Sequence, residues 1–274
     1  MDFWWLIIPA AMYGGMPLVV KFSQKVSASP NIEAVDPSQW PENVAQTMSR
    51  VEHDLYALGF TITGRYKMTG AISNTETMLT MLVNYQSGDK AMITAIWGQA
   101  NGVWNLGTHY TEFSTRFEDG HCFDTMNSAT LGSFQRGPKD IKTQVPDVKE
   151  AAELWSLHRF VMAKHGAQGR KLVYDIKDTL AYFRRIWREG FEEQVKLGRF
   201  VSRGQIFQPS LIGAYAMTWG MLWPMVSIRT SQMKSRAAAI VSEWKQARVS
   251  PSSPLSQSPA ENGIRIVPEI QNAF

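Results

Sequence analysis

Apolar and polar residues follow three rhythms along this chain, and each predicts a different structure. The first is unbroken: from Phe3 to Val20 no residue carries a charge. A helix of that length spans roughly 27 Å, close to the ~30 Å hydrocarbon thickness of a bilayer. A strand in a soluble core ends after about 4–8 residues. The run therefore predicts one short transmembrane helix and an anchor over 1–25, with Trp4 and Trp5 at one membrane interface and Lys21 and Lys25 at the other. Pro9, Gly14, Gly15 and Pro17 weaken a free helix but are tolerated in lipid; a buried hairpin is the alternative. A cleaved signal fits poorly, because the residues before the run hold Asp2 and no Lys or Arg. The lysines follow the span, so the positive-inside rule predicts a single-pass protein of the inner (cytoplasmic) membrane with its body on the cytoplasmic side. Ala10 and Gly14, like Ala11 and Gly15, are four residues apart, a small-residue face that lets another helix approach closely.

The second rhythm has period two. Residues 26–41, with Pro30, Pro37 and Pro41, read as an extended linker. Pro41 suits the first turn of a helix carrying Val44, Met48, Val51, Leu55 and Leu58, and Gly59 stops it. FTITGRYKM, TMLTMLVNYQ, KAMITAIWG, His109–Phe117 and HCFDTMNS then alternate like strands. Ser87-Gly88, Asn101-Gly102 and Asp119-Gly120 read as tight hairpin turns. Such pairing puts Leu79, Met81, Val83, Met92 and Ile96 on one face, and Phe113, Phe117 and Cys122 together on a core face. The prediction for 42–145 is an α+β domain: an antiparallel meander of five or six strands with a helix over one face.

From Pro146 the period returns to that of a helix. Ala151, Leu154, Trp155, His158, Val161, Met162 and His165 form one stripe, which Gly166 and Gly169 break. A second helix, from about Leu172 to Leu197, carries Ile176, Leu180, Phe183, Trp187 and Phe191, with Arg184, Arg185 and Arg188 mostly off the stripe. LIGAYAMTWGMLWPMVSI, residues 211–228, is again charge-free. Basic residues flank both ends (Arg199 and Arg203 before, Arg229, Lys234 and Arg236 after), which disfavours crossing. Tyr215, Trp219 and Trp223 suit a membrane interface, so the segment reads either as a helix lying in the membrane surface or as a buried core helix. A last helix carries Met233, Ile240, Val241 and Trp244. The helical region thus covers 146–248, and the Ser- and Pro-rich tail 249–274 lacks the apolar content to fold.

Composition narrows the chemistry. One cysteine, Cys122, excludes a disulfide within the chain. A net charge of +4 is too mild for a dedicated nucleic-acid binder. Ten Trp and 14 Met suit membrane boundaries and adaptable contact surfaces. His121 adjoins Cys122, but strand neighbours point to opposite faces, so this is no nucleophile–base pair. His109, His121, Asp124, His158 and His165 are the candidate metal ligands. The last two are two helical turns apart, roughly 10 Å, too far to share one ion. No H-E-x-x-H, C-x-x-C, phosphate loop or G-x-S-x-G is present. AYFRRIWREG interleaves aromatics with arginines, but helical phasing separates them into an apolar and a solvated face. The reading is of no catalytic residue, no cofactor, no metal and no nucleic-acid partner.

VEHDLYALGF, FSTRFEDG running on to FDTMNS, and ELWSLHRF resemble stretches of uncharacterised bacterial proteins with one N-terminal membrane span and a small α+β domain. The resemblance covers roughly the middle half of the chain and implies a layout, with no chemistry attached. The expected function is a non-catalytic accessory subunit of an integral membrane protein complex, with other membrane subunits and membrane lipids as partners. An energy-transducing assembly is one home for such a subunit, and no residue selects it. The alternative is a membrane-tethered domain that binds a lipid or other apolar ligand between sheet and helices.

Overall fold

The alternating middle of the chain builds a sheet, and its two ends build the helices that cover it. The computed structural model describes residues 11–70, 75–100, 103–132, 134, 136–173 and 178–249. Trp4, Trp5 and Ala10, the first part of the expected span, and the tail from residue 250 lie outside the described residues. The fold is α+β. In chain order the strands are β1 (Val26–Ser27), β2 (Asn31–Ala34), β3 (Thr61–Thr69), β4 (Thr75–Val83), β5 (Lys90–Ala100), β6 (Val103–Arg116), β7 (Cys122–Met126), β8 (Asp140–Gln144), β9 (Phe200–Arg203) and β10 (Ile206–Pro209). The large sheet runs β2-β3-β4-β5-β6-β7-β8, and a small one runs β1-β10-β9. The expected meander is the central five strands. The stretch read as a linker is extended and hydrogen-bonded: β1 pairs with β10 and β2 forms one edge of the large sheet. The other edge, β8, pairs parallel to β7, so the sheet is mixed.

Register decides which side chains share a face. Met81 lies opposite Met92 and Val83 opposite Lys90, so Leu79, Met81, Val83, Met92 and Ile96 do share a face. The β6–β7 hairpin departs from expectation. A two-residue turn at Asp119-Gly120 would pair Phe117 with Cys122, but Arg116 pairs with Cys122 instead. Gly120 N donates to Phe117 O (2.9 Å), Phe117 N donates to His121 O (2.9 Å), and Gly120 sits at φ +86°. This is a three-residue loop closed by a glycine bulge. A one-residue slip turns every following side chain over. Cys122 therefore leaves the face of Phe113 and joins Glu112, Ser114, Arg116 and Asp124 on the other.

The inner face of the sheet packs on α2 (Glu42–Ala57), α3 (Ala151–Lys164) and the far end of α6 (Met225–Val249). Met48, Leu55, Phe60, Ile93, Phe113, Phe123, Leu154 and Trp244 are fully buried there, each contributing about 1.5–3 kcal/mol by burial. Glu52 ties α2 to the sheet by accepting from Arg65 (2.9 and 2.7 Å) and from Thr80 (2.7 Å). The outer face packs on α4 (Thr179–Lys196), whose Tyr182, Phe183, Ile186 and Trp187 meet Tyr66, Met68, Leu79 and Met81. α4 starts later than Leu172. Asp178 caps it by accepting from Ala181 N (2.9 Å), while Leu172 bridges to Phe117.

Two helices far apart in sequence meet in a third layer. α1 (Met16–Ser23), preceded by a π-helical turn over Ala11–Gly15, runs antiparallel to α5 (Leu211–Met221). Trp219 Nε1 donates to Tyr13 O (2.8 Å) near one end, and Gln208 Nε2 donates to Lys21 O (2.7 Å) at the other. This helical hairpin stands on the small sheet, whose Phe200 and Phe207 pack on Phe191 of α4. The single helix expected over 211–228 is two helices. α5 stops at Met221 and α6 starts at Met225, bent by 74°, because Pro224 cannot extend the first.

Candidate functional site

The helical hairpin carries most of the residues singled out in the sequence. On α5, Gly213, Ala214 and Thr218 are buried against the rest of the protein. Gly213 has no room for a side chain, since a Cβ would collide with the Arg199 carbonyl oxygen. The opposite surface is apolar and open. Phe22 is 66 % exposed, Ile212 68 % and Trp223 74 %, with Met16, Leu18, Val19 and Met221 also exposed. Leaving one such side chain in water instead of burying it forgoes about 1.5–3 kcal/mol. Apolar surface gathered on one feature in this way marks an interaction site.

The polar atoms of the hairpin are arranged to keep that surface apolar. Tyr215 and Trp219 turn their hydroxyl and indole N–H onto the carbonyls of Gly14 (3.4 Å) and Tyr13 (2.8 Å). Their rings meet edge to face at 4.8 Å. Lys21 and Lys25 lie at the foot, beside the small sheet, and no charge stands between Ala11 and Val20 or within α5. Trp223 occupies the break between α5 and α6. Gly14 and Gly15 face open space, since a Cβ at either would meet nothing within 4 Å, and Ala11 is exposed. Among the described residues no single helix is long and apolar enough to cross a membrane. The bent pair α5–α6 meets that test by length and composition alone.

A second site lies on the outer sheet face and was missed in the sequence. Lys90, Ser114, Asp124 and Lys142 stand opposite one another on successive strands, forming one polar row across the sheet. Glu112 stands in the next row, between Met92 and Met126. Asp124 accepts from Ser114 Oγ (2.8 Å) and from the Cys122 thiol (3.4 Å), and Arg136 lies 3.8 Å from its other oxygen. Burial, then the Asp124 charge, push Glu112 up to about 7, although Lys142, Arg136 and Arg116 pull the other way. Burial lowers Lys142 and raises the Cys122 thiol, leaving the sulfur unreactive. Arg116 holds its Nε buried without a hydrogen-bond partner, which costs about 1–3 kcal/mol. α4 roofs part of this face with Tyr182, Phe183 and Ile186, leaving a cleft of 110 Å³. In the sequence, Glu112, Ser114 and Arg116 alternate with Phe113, Thr115 and Phe117, a pattern that carries no sign of a cleft. Only the distant α4 turns that face into a cleft.

The inner face holds a third polar group, of a different kind. Thr115 Oγ1 lies 2.7 Å from Asp89 Oδ1 and 2.9 Å from His158 Nε2, and His158 Nδ1 lies 3.0 Å from Thr125 Oγ1. Trp155 Nε1 donates to Asp89 Oδ2 (2.8 Å), and Arg159 pairs with the same carboxylate (3.4 Å). Burial works against ionising Asp89, and His158, Arg159, Trp155 and Thr115 together outweigh it, so its pKa is lowered. An ionised Asp89 only accepts, so the Thr115 proton goes to it. Nε2–H of His158 then donates to Thr115, and Nδ1 accepts from Thr125. Burial lowers His158 to about 4, in keeping with this neutral ring. Asp89 and His158 have no exposed surface, so the network is a bracket joining α3 to β6, β7 and the residue that precedes β5. No substrate reaches it.

The remaining candidate ligands are scattered. His121 contacts Asp119 (3.1 Å) and Arg170 (2.7 Å) at the surface, and the His165 ring lies beside Phe123. Among the described residues no group of three His, Cys, Asp or Glu side chains could hold a metal ion. The chain matches no known protein family, no curated protein sequence and no solved structure.

Proposed function

We propose that this chain is a non-catalytic accessory subunit of an integral membrane protein complex, held at the bilayer by the α1–α5 hairpin and the residues that precede it. One observation carries the reading: α1 and α5, far apart in sequence and uncharged apart from Lys21 at the foot, pack together, and Phe22, Ile212 and the adjoining Trp223 are turned outward. Lys21 and Lys25 at the foot suit anionic headgroups on the cytoplasmic side of an inner membrane. The transmembrane helix belongs to this proposal, with Trp4, Trp5 and Ala10 ahead of the hairpin. Ala11, Gly14 and Gly15 then serve as the face for a partner helix. A Cβ at either position meets nothing within 4 Å, so Gly14→Leu and Gly15→Leu each begin in open space. The double variant is expected to lose its partners on mild-detergent extraction, sizing and mass spectrometry while keeping a wild-type melting curve. Partners retained at full stoichiometry would refute the subunit reading. A second reading, an apolar-ligand domain, is favoured by the cleft between α4 and the sheet.

A further inference from the structure

We propose that the cleft between α4 and the outer sheet face binds a carboxylate carrying a short alkyl chain, its head on Arg116 and its tail along α4. The inference rests on the second reading above and names the class of ligand. The cleft floor is polar toward β6 and β7, which carry Glu112, Ser114, Arg116 and Asp124, and apolar toward β4 and β5, which carry Met81 and Met92, with Lys90 on β5 beside Ser114; Phe183 and Ile186 of α4 line it as well.

The polar side calls for an anion. Asp124 already accepts from Ser114 and Cys122. Glu112 is driven toward the neutral acid by burial and by Asp124. Neither carboxylate answers Arg116, whose Nε is buried and unpartnered. Its one ion-pair partner among the described residues, Glu189, is half exposed and 3.8 Å away, beyond hydrogen-bond range. A guanidinium presents a planar fork that matches a carboxylate better than a tetrahedral or spherical anion.

Size limits the rest. A cavity of about 150 Å³ holds one benzene ring, so 110 Å³ admits a head and a few carbons. A longer chain would continue outward along Phe183 and Ile186.

The test is calorimetric titration of the full chain in detergent with hexanoate, hexanol and inorganic phosphate, each corrected for the same titration into empty micelles. Hexanoate is expected to saturate at one site. Hexanol and phosphate are expected to bind at least about tenfold more weakly, hexanol lacking the charge and phosphate the tail. Arg116→Met should weaken hexanoate by a similar factor and leave hexanol unchanged. If that variant fails to fold, Arg116→Lys, which keeps the charge without the fork, is expected to weaken hexanoate at least threefold. Equal affinity for hexanoate and hexanol, indifferent to Arg116, would overturn the carboxylate proposal and leave the apolar-ligand reading standing. Failure of both to bind would overturn the two together.

Discussion

The two faces of the large sheet treat polar residues in opposite ways. On the inner face Asp89, Thr115, His158 and Thr125 are linked in a chain of hydrogen bonds with no exposed surface. On the outer face Glu112, Arg116, Asp124 and Lys142 stand in adjacent rows with partial pairing and a cleft above them. A saturated buried network rigidifies a core. An unsaturated one stores unmet hydrogen-bonding and charge, which a ligand can satisfy. The comparison separates a polar group that holds the fold from one that is available for binding, within one sheet and a few ångströms.

Removing a member from each face should break the symmetry most visibly. Asp89→Ala leaves the Trp155 indole N–H and the Thr115 hydroxyl without their acceptor and takes the partner from the partly exposed Arg159. Each buried donor left unpaired costs about 1–3 kcal/mol. Glu112→Gln removes a charge that burial already disfavours, and at pH 8 it is expected to leave stability unchanged or raise it by about 1 kcal/mol. Urea unfolding of both variants beside the parent protein checks this. Equal destabilisation would mean that the outer face is as structural as the inner.

Acid should sharpen the contrast, because the two faces respond with opposite sign. His158 has a folded pKa near 4 against an ordinary 6.5. As pH falls from 6.5 to 4 the unfolded chain takes up a proton that the folded protein refuses, so stability is lost, by at most about 1.4 kcal/mol per unit. Glu112 has a folded pKa near 7 against 4.5. Between those values the folded protein holds the proton, so stability is gained as pH falls. From 6.5 to 4.5 the two contributions offset each other. Unfolding free energy should therefore be nearly flat there in the parent protein and fall with acid in Glu112→Gln. A flat profile in that variant would show that His158 titrates normally in the folded protein.

Local patterns made the centre of the fold legible and left its joints obscure. The five meander strands and α2, α3 and α6 follow from alternation, helical stripes and turn residues that lie within one element. β2 and β8 are short, NIEA and DIKTQ, and carry no apolar alternation. β8 also returns parallel to β7 through a crossover, which no local signal announces. Asp119-Gly120 suits a two-residue turn as well as a three-residue bulged loop, and that single residue decides on which face Cys122 and Asp124 fall. The cleft was illegible for the same reason, compounded by a roof from α4. The two charge-free runs were plain in the sequence, but their pairing joins Tyr13 to Trp219, 206 residues apart.

The hairpin offers the smallest effect on stability and the cleanest separation from both sheet faces. Phe22 and Ile212 are mostly exposed, so a charge at either desolvates nothing in the folded protein. Phe22→Glu with Ile212→Glu is expected to shift unfolding stability by no more than about 0.5 kcal/mol, the range of ordinary surface substitutions. In lipid the same carboxylates are costly, by about 2.5–3.5 kcal/mol for an acidic group at the centre of a span and less toward the interface. The double variant should therefore melt like the parent protein and yet leave membranes at a lower detergent concentration. If it sediments with membranes as fully as the parent, the exposed apolar surface faces something other than lipid. The hairpin would then be a protein-docking surface, and the open Gly14 and Gly15 face the place to look for its partner.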